Sequence, residues 1–170
     1  MEPNKRLAVI VGRFQVDDLH KGHRHLIQMA IDNSDKVCIF VGIPHNQRPN
    51  VNNPLDYLTR MFMLLDRYPE VCIHPIIDHE SDREWSYDLD RRLEYYKDYD
   101  IVLYGSRHSF VENYYGHYPC IVVPEIQSTS GTEGRNNLKP VYNRDYRIGV
   151  IDTINKLNKN NYGSISNIKF

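Results

Sequence analysis

The feature that most constrains this chain is a set of five short apolar runs, at residues 7–11, 37–43, 71–77, 101–104 and 120–123, separated by segments with helical spacing. The runs are rich in Val and Ile and bounded by Gly, Pro or Asp, and they are nearly continuous rather than alternating. A strand with apolar residues on both faces must be covered on both, as in a parallel sheet flanked by helices. The intervening segments place apolar residues three and four apart, as in Leu26, Met29 and Ala30, then Leu58, Met61, Phe62 and Leu65. The second segment opens on Asn53, Pro54, Leu55 and Asp56, read as an N-cap followed by Pro at the first helical position. This alternation predicts right-handed crossovers and an open α/β sheet that is doubly wound, mainly parallel and five-stranded, with helices on both faces.

At 170 residues the chain has room for one sizeable core. The expected division is a single domain over 1–154, then a polar linker or tail over 155–170 leading toward a missing or truncated second domain. Lys and Arg number 21 against 22 Asp and Glu, so no basic excess points to nucleic acid. No apolar run approaches the roughly 18 residues of a membrane span, and the first residues lack a signal-peptide core. Cys38, Cys72 and Cys120 each sit inside an apolar run and form an odd set. They read as reduced, buried thiols of a cytoplasmic protein. Residues 78–100 hold nine acids and four bases, with Asp88, Asp90 and Glu94 on one helix, read as a solvated face. Residues 139–170 reverse that balance, with six bases and two acids.

The chemistry is concentrated where the first run ends. Gly12, Arg13, Phe14 and Gln15 are followed by Val16, Asp17, Asp18 and Leu19, then by His20, Lys21, Gly22 and His23. In a doubly wound sheet, ligands bind beyond the carboxyl ends of the strands, and the first strand–helix turn is the usual phosphate site. Two imidazoles three apart at a helix start, with Gly22 between them and the start's free N–H groups, describe a polyphosphate cradle. It is neither a P-loop nor a G-x-G-x-x-G turn. His20, His23 and His25 lack the Cys pair or carboxylate that a zinc site would add, so no protein-held metal is expected. After the last run, Ser130 and Glu133 have capping-box spacing within the Ser128–Arg135 stretch STSGTEGR. A second helix start there would offer amides and hydroxyls to an anion, with Arg135 as a forked cation.

These motifs, GRFQ with HKGH and the later SGTEGR, resemble the nucleotidyltransferase superfamily marked by H-x-G-H and a late S-x-x-x-x-R or S-G-T-x-x-R. Within it the pattern is most similar to archaeal-type nicotinamide-mononucleotide adenylyltransferases and to their Nudix-fused and phage relatives. The similarity spans about residues 7–151 and includes NPLDYLTRMFML, IIDHESDREW and LYGSRHSF. The resemblance implies a Rossmann-like fold and transfer of AMP from ATP to nicotinamide or nicotinate mononucleotide, giving NAD and pyrophosphate. Mg²⁺ would be held mainly by the ATP phosphates. A homo-oligomer is a further expectation for the chain.

By the same resemblance, His20 and His23 bind the ATP phosphates and steady the transition-state charge, and Arg135 grips the β- and γ-phosphates. Ser130, Gly131 and Thr132 contact the nucleotide through backbone and hydroxyls, and Gly12, Arg13 and Gly22 lie beside it. Gly105 and Ser106 match the adenosine-binding turn. Asp78 and Trp85 match the nicotinamide pocket, where the indole stacks on the pyridine ring; a plain hydrophobic anchor is the other reading of Trp85.

Two departures stand out. Four residues separate Gln15 from His20 where the family has two, and the family's proline is missing. Asn52 occupies the place of a family arginine, with Arg48 as the nearby substitute. Other acceptors or donors, such as phosphopantetheine or CTP, and a non-catalytic nucleotide sensor are the competing readings. A Nudix G-x₅-E-x₇-R-E pattern does not occur in the chain, although residues 162–170 resemble the lead-in to such a domain.

Overall fold

The computed structural model describes residues 4–126. The 128–135 motif with Ser130, Gly131, Thr132 and Arg135, and the boundary at 154, lie outside the described residues. The chain forms β1 (Arg6–Gly12), α1 (Lys21–Asp32), β2 (Lys36–Ile43), α2 (Tyr57–Arg67), β3 (Cys72–Ile77), α3 (Asp82–Leu93), β4 (Asp100–Ser106) and β5 (Cys120–Val123). The sheet order is β3-β2-β1-β4-β5, and every pairing is parallel. All five expected strands are therefore present, in a wholly parallel, doubly wound sheet.

The side-chain alternation of β1 explains the layering. Leu7, Ala8, Val9 and Ile10 are all fully buried. Ala8 and Ile10 point to a core shared with Leu26, Ile27 and Ala30 of α1 and Leu64 of α2. Leu7 and Val9 point to the opposite core, with Leu89 and Leu93 of α3. Successive residues of a strand face opposite sides, so a continuous apolar run in a central strand feeds two cores at once. The edge strands need less. Pro75 sits in β3, which bonds only β2 among the described residues, where a missing N–H costs little.

Several expectations are corrected. The second helix begins at Tyr57, not at Pro54, because Asp56 is the cap and accepts from the amides of Leu58 and Thr59. Asn53 instead closes a turn with Asn50 through reciprocal backbone hydrogen bonds. Cys38 is buried, but Cys72 is half-buried and Cys120 is exposed on the β5 edge; all three are free thiols. The acidic face of α3 is not simply solvated. Asp88 is buried against His79, Arg91 and Arg92, while Asp90 accepts from Tyr114 Oη and the His117 amide.

The apolar stripe of α2 also hides a charged residue. Arg60 is only 1% exposed. Its Nη1 donates to the carbonyls of Arg13 (2.8 Å) and Gly42 (2.6 Å), and its Nε donates to the Asp56 carbonyl (2.9 Å). Burial lowers its pKa to about 10, which leaves it charged at neutral pH. One guanidinium thus joins the carboxyl ends of β1 and β2 to the start of α2. Arg60→Ala should cost about 2–5 kcal/mol, because two carbonyls lose their buried donor. Arg60→Lys should recover only part of this, since an ammonium lacks the planar fork. Chemical denaturation of the variants checks both.

Candidate active site

The site is built at the carboxyl ends of β1 to β4, where the strand order reverses around β1. A cleft of about 590 Å³ opens there. Gly12, Arg13, His23, Asp78, Trp85 and Ser106, all singled out from the sequence, line it together. Phe14, Gly42, His79, Asp82, His108 and Phe110 also line it and had no sequence assignment.

The GRFQ turn is shaped by close approach. Phe14 has φ of 49°, in the left-handed region, and turns its ring back over Gly12. A Cβ at Gly12 would stand 2.8 Å from that ring, which is why glycine ends the strand. Gln15 is buried and makes two 2.8 Å bonds, Nε2 to the Leu55 carbonyl and Oε1 from the Leu55 amide. It anchors the turn to the segment preceding α2. The longer loop that follows is held by its apolar residues. Val16 and Leu19 are buried, while the Asp17 and Asp18 carboxylates cap the next amides.

His20 is the N-cap of α1. Its Nδ1 accepts from the amides of Gly22 (3.1 Å) and His23 (3.3 Å). Those amides, expected to be free for a ligand, are therefore taken by the imidazole. The bond also fixes the neutral tautomer, with the proton on Nε2. His20 and His23 stack with centroids 3.7 Å apart, and Phe14 packs on His23 at 5.1 Å. Burial lowers the His20 pKa, with Arg24 adding to the effect. Burial, then His20, takes His23 down to about 4. The pair is neutral at pH 7, and the buried Nδ1 of His23 has no partner among the described residues. His20 and Gly22 are not themselves lining residues; His20 meets the cleft through His23.

Arg13 and Asp78 face each other across the ends of β1 and β3. Arg13 Nη2 lies 2.7 Å from both carboxylate oxygens. The guanidinium passes over Gly42, where an added Cβ would approach Arg13 Cδ to 3.2 Å. Arg13 Nη1 is buried without a partner among the described residues. An unpaired buried guanidinium nitrogen is costly and marks a place for an acceptor atom. Trp85 has one side on the cleft and another in the core. It lines the cleft, and it packs on the α3-side core and on Phe110 at 6.0 Å.

Gly105 does not line the cleft. It lies under Ser109 and Val111, with no room for a Cβ, and so lets the 106–113 segment fold over the end of β4. Ser106 does reach the cleft. Arg48 faces a separate cavity of about 470 Å³ with Arg60 and Arg92 and does not substitute for a cleft arginine. His79 reaches the cleft with Nε2 3.2 Å from Asp88 Oδ2. Burial pushes the Asp88 carboxyl up, but hydrogen bonds from Arg91, His79 and Arg92 outweigh it and hold it below its usual range.

Because the folded pKa of His23 is depressed, the unfolded chain binds more protons between about pH 4 and pH 6.5. Stability should therefore fall as pH drops through that window, by at most about 3 kcal/mol from this residue. His23→Gln should flatten that part of the profile, read from melting temperatures at several pH values.

Neither a protein family nor a curated protein sequence matches this chain. Among solved structures it is similar to a bifunctional NMN adenylyltransferase/ADP ribose pyrophosphatase from Francisella tularensis, complexed with AMP and Mn ion. The TM-score is 0.64 at 23% identity, covering 93% of this chain and 53% of that one. A looser similarity, TM-score 0.47 at 16% identity, joins 99% of this chain to 76% of a pantoate-beta-alanine ligase from the same organism. The chain thus spans about half the length of the first of these proteins and shares its fold. No helix among the described residues is long and apolar enough to cross a membrane.

Proposed function

We propose that this protein is an adenylyltransferase that moves AMP from ATP to the phosphate of nicotinamide or nicotinate mononucleotide. The observation that carries this reading is the cleft itself. It joins the HKGH helix start, an arginine with a buried nitrogen unpaired among the described residues, and a lone tryptophan at the carboxyl ends of one parallel sheet.

An oxygen of the acceptor phosphate attacks the α-phosphorus of ATP, the bond to the bridging oxygen breaks, and pyrophosphate leaves. A phosphate monoester is largely ionised at pH 7, so the attack needs no strong general base. The protein's task is to align two anions and meet the developing charge. Neutral imidazoles suit this, because each keeps one N–H to donate as negative charge builds. His20 and His23 take the ATP phosphates, with Gly12, Arg13 and Gly22 beside the nucleotide and Gly105 and Ser106 at the adenosine side. Asp78 and Trp85 form the acceptor side. Arg135, with Ser130, Gly131 and Thr132, completes the grip on the triphosphate.

The described residues contain no group of three or more metal-ligating side chains. Mg²⁺ would be carried on the nucleotide phosphates, as part of the substrate.

The direct test is pyrophosphate release from ATP or CTP against a panel of phosphate acceptors. Nicotinamide or nicotinate mononucleotide with ATP should give the dinucleotide; turnover of a different acceptor alone would replace the assignment. His23→Ala and Arg135→Ala should each lower kcat by about 10²–10³ with the fold intact by circular dichroism. Trp85→Ala should raise the acceptor KM by about 5- to 150-fold, the scale of lost ring stacking, with little change in the KM for ATP. It should also lower the melting temperature, since the indole packs on the core.

A further inference from the structure

We infer that His79 selects between a carboxamide and a carboxylate on the acceptor's ring, favouring the carboxamide, because Asp88 fixes which of its nitrogens carries the proton. This rests on the pyridine-nucleotide acceptor proposed above. His79 lines the same cleft as Asp78 and Trp85, and its side chain is 35% exposed. The nitrogen it turns to Asp88 is spent, since that carboxylate is buried and also held by Arg91 and Arg92.

An ionised carboxylate only accepts hydrogen bonds, so Nε2 of His79 must donate. In the neutral imidazole the other nitrogen, Nδ1, is then an acceptor, and it has no hydrogen-bond partner among the described residues. A carboxamide has an N–H to give it. A carboxylate has none, and would set its charge against a lone pair in a cleft that also holds Asp82 and Asp78. Of the charged groups nearby, Arg13 is paired to Asp78, Arg91 and Arg92 to Asp88, and His45 Nδ1 lies 3.3 Å from the Asp78 carbonyl. Arg13 Nη1, without a partner among the described residues, is the donor that the proposed reaction turns to the nucleotide rather than to the acceptor's ring.

The experiment measures kcat/KM for nicotinamide and nicotinate mononucleotide with saturating ATP and Mg²⁺. It compares the full chain with His79→Leu and His79→Gln. The unaltered protein should favour the nicotinamide form by roughly 3- to 12-fold, the worth of one hydrogen bond. His79→Leu should bring the ratio near one, and His79→Gln, which keeps an acceptor oxygen, should retain most of it. Preference for the nicotinate form in the unaltered protein would overturn the selector while leaving the transferase reading in place. An unchanged ratio in folded His79→Leu would do the same. Turnover of neither acceptor would overturn both.

Discussion

The site depends on the buried guanidinium of Arg60. A doubly wound sheet opens where neighbouring strands stop pairing, and the carbonyls at those ends lose their ladder partners. Here the carbonyls of Arg13 and Gly42 are in that position, and Arg60 donates to both from inside the fold. The same side chain bonds the Asp56 carbonyl at the start of α2. A charge is expensive to bury, and it is tolerated because the fork is occupied by well-placed acceptors. The benefit to the site is positional. Arg13 is set against Asp78 because its own backbone is held from behind.

The cleft is arranged around hydrogen-bond donors more than around net charge. The two stacked imidazoles are neutral because burial disfavours their cations, and Asp78 offsets the charge of Arg13. What remains is directional capacity, in the Arg13 Nη1 and the His23 Nδ1, which have no partners among the described residues. Such groups are costly in an isolated protein and useful to one that binds an anion. An arrangement of that kind can strengthen as charge develops on a ligand, which is the requirement for catalysis by electrostatic preorganisation.

Much of this was legible in the chain, and the exceptions share a cause. Continuous apolar runs identify central strands because both faces must be dry, and β1, β2 and β4 obey that rule. The same rule over-reads an edge, so Cys120 was expected to be buried and is exposed. Pro54 was a misleading start signal, since Asp56 two residues later offers the stronger cap. Arg60 was invisible because an arginine among leucines and methionines ordinarily marks the solvent side of a helix. Asp88 was read as solvated for the corresponding reason; only the approach of His79 from the end of β3 shows otherwise.

The order of elements, the parallel sheet and the choice of GRFQ–HKGH as a site follow from the sequence alone, because each depends on local spacing and on which residues tolerate burial. His20 and His23 lie three apart and meet on a single helix turn, so their pairing is a local property. The meeting of Arg13 with Asp78, 65 residues apart, is not. Nor is that of Gln15 with Leu55, or of His79 with a carboxylate made buried by its neighbours. These contacts, and with them the tautomers, the unpaired donors and the shape of the cleft, were decided by tertiary structure. The physical reason is that hydrogen-bond geometry and desolvation depend on what arrives from the rest of the chain.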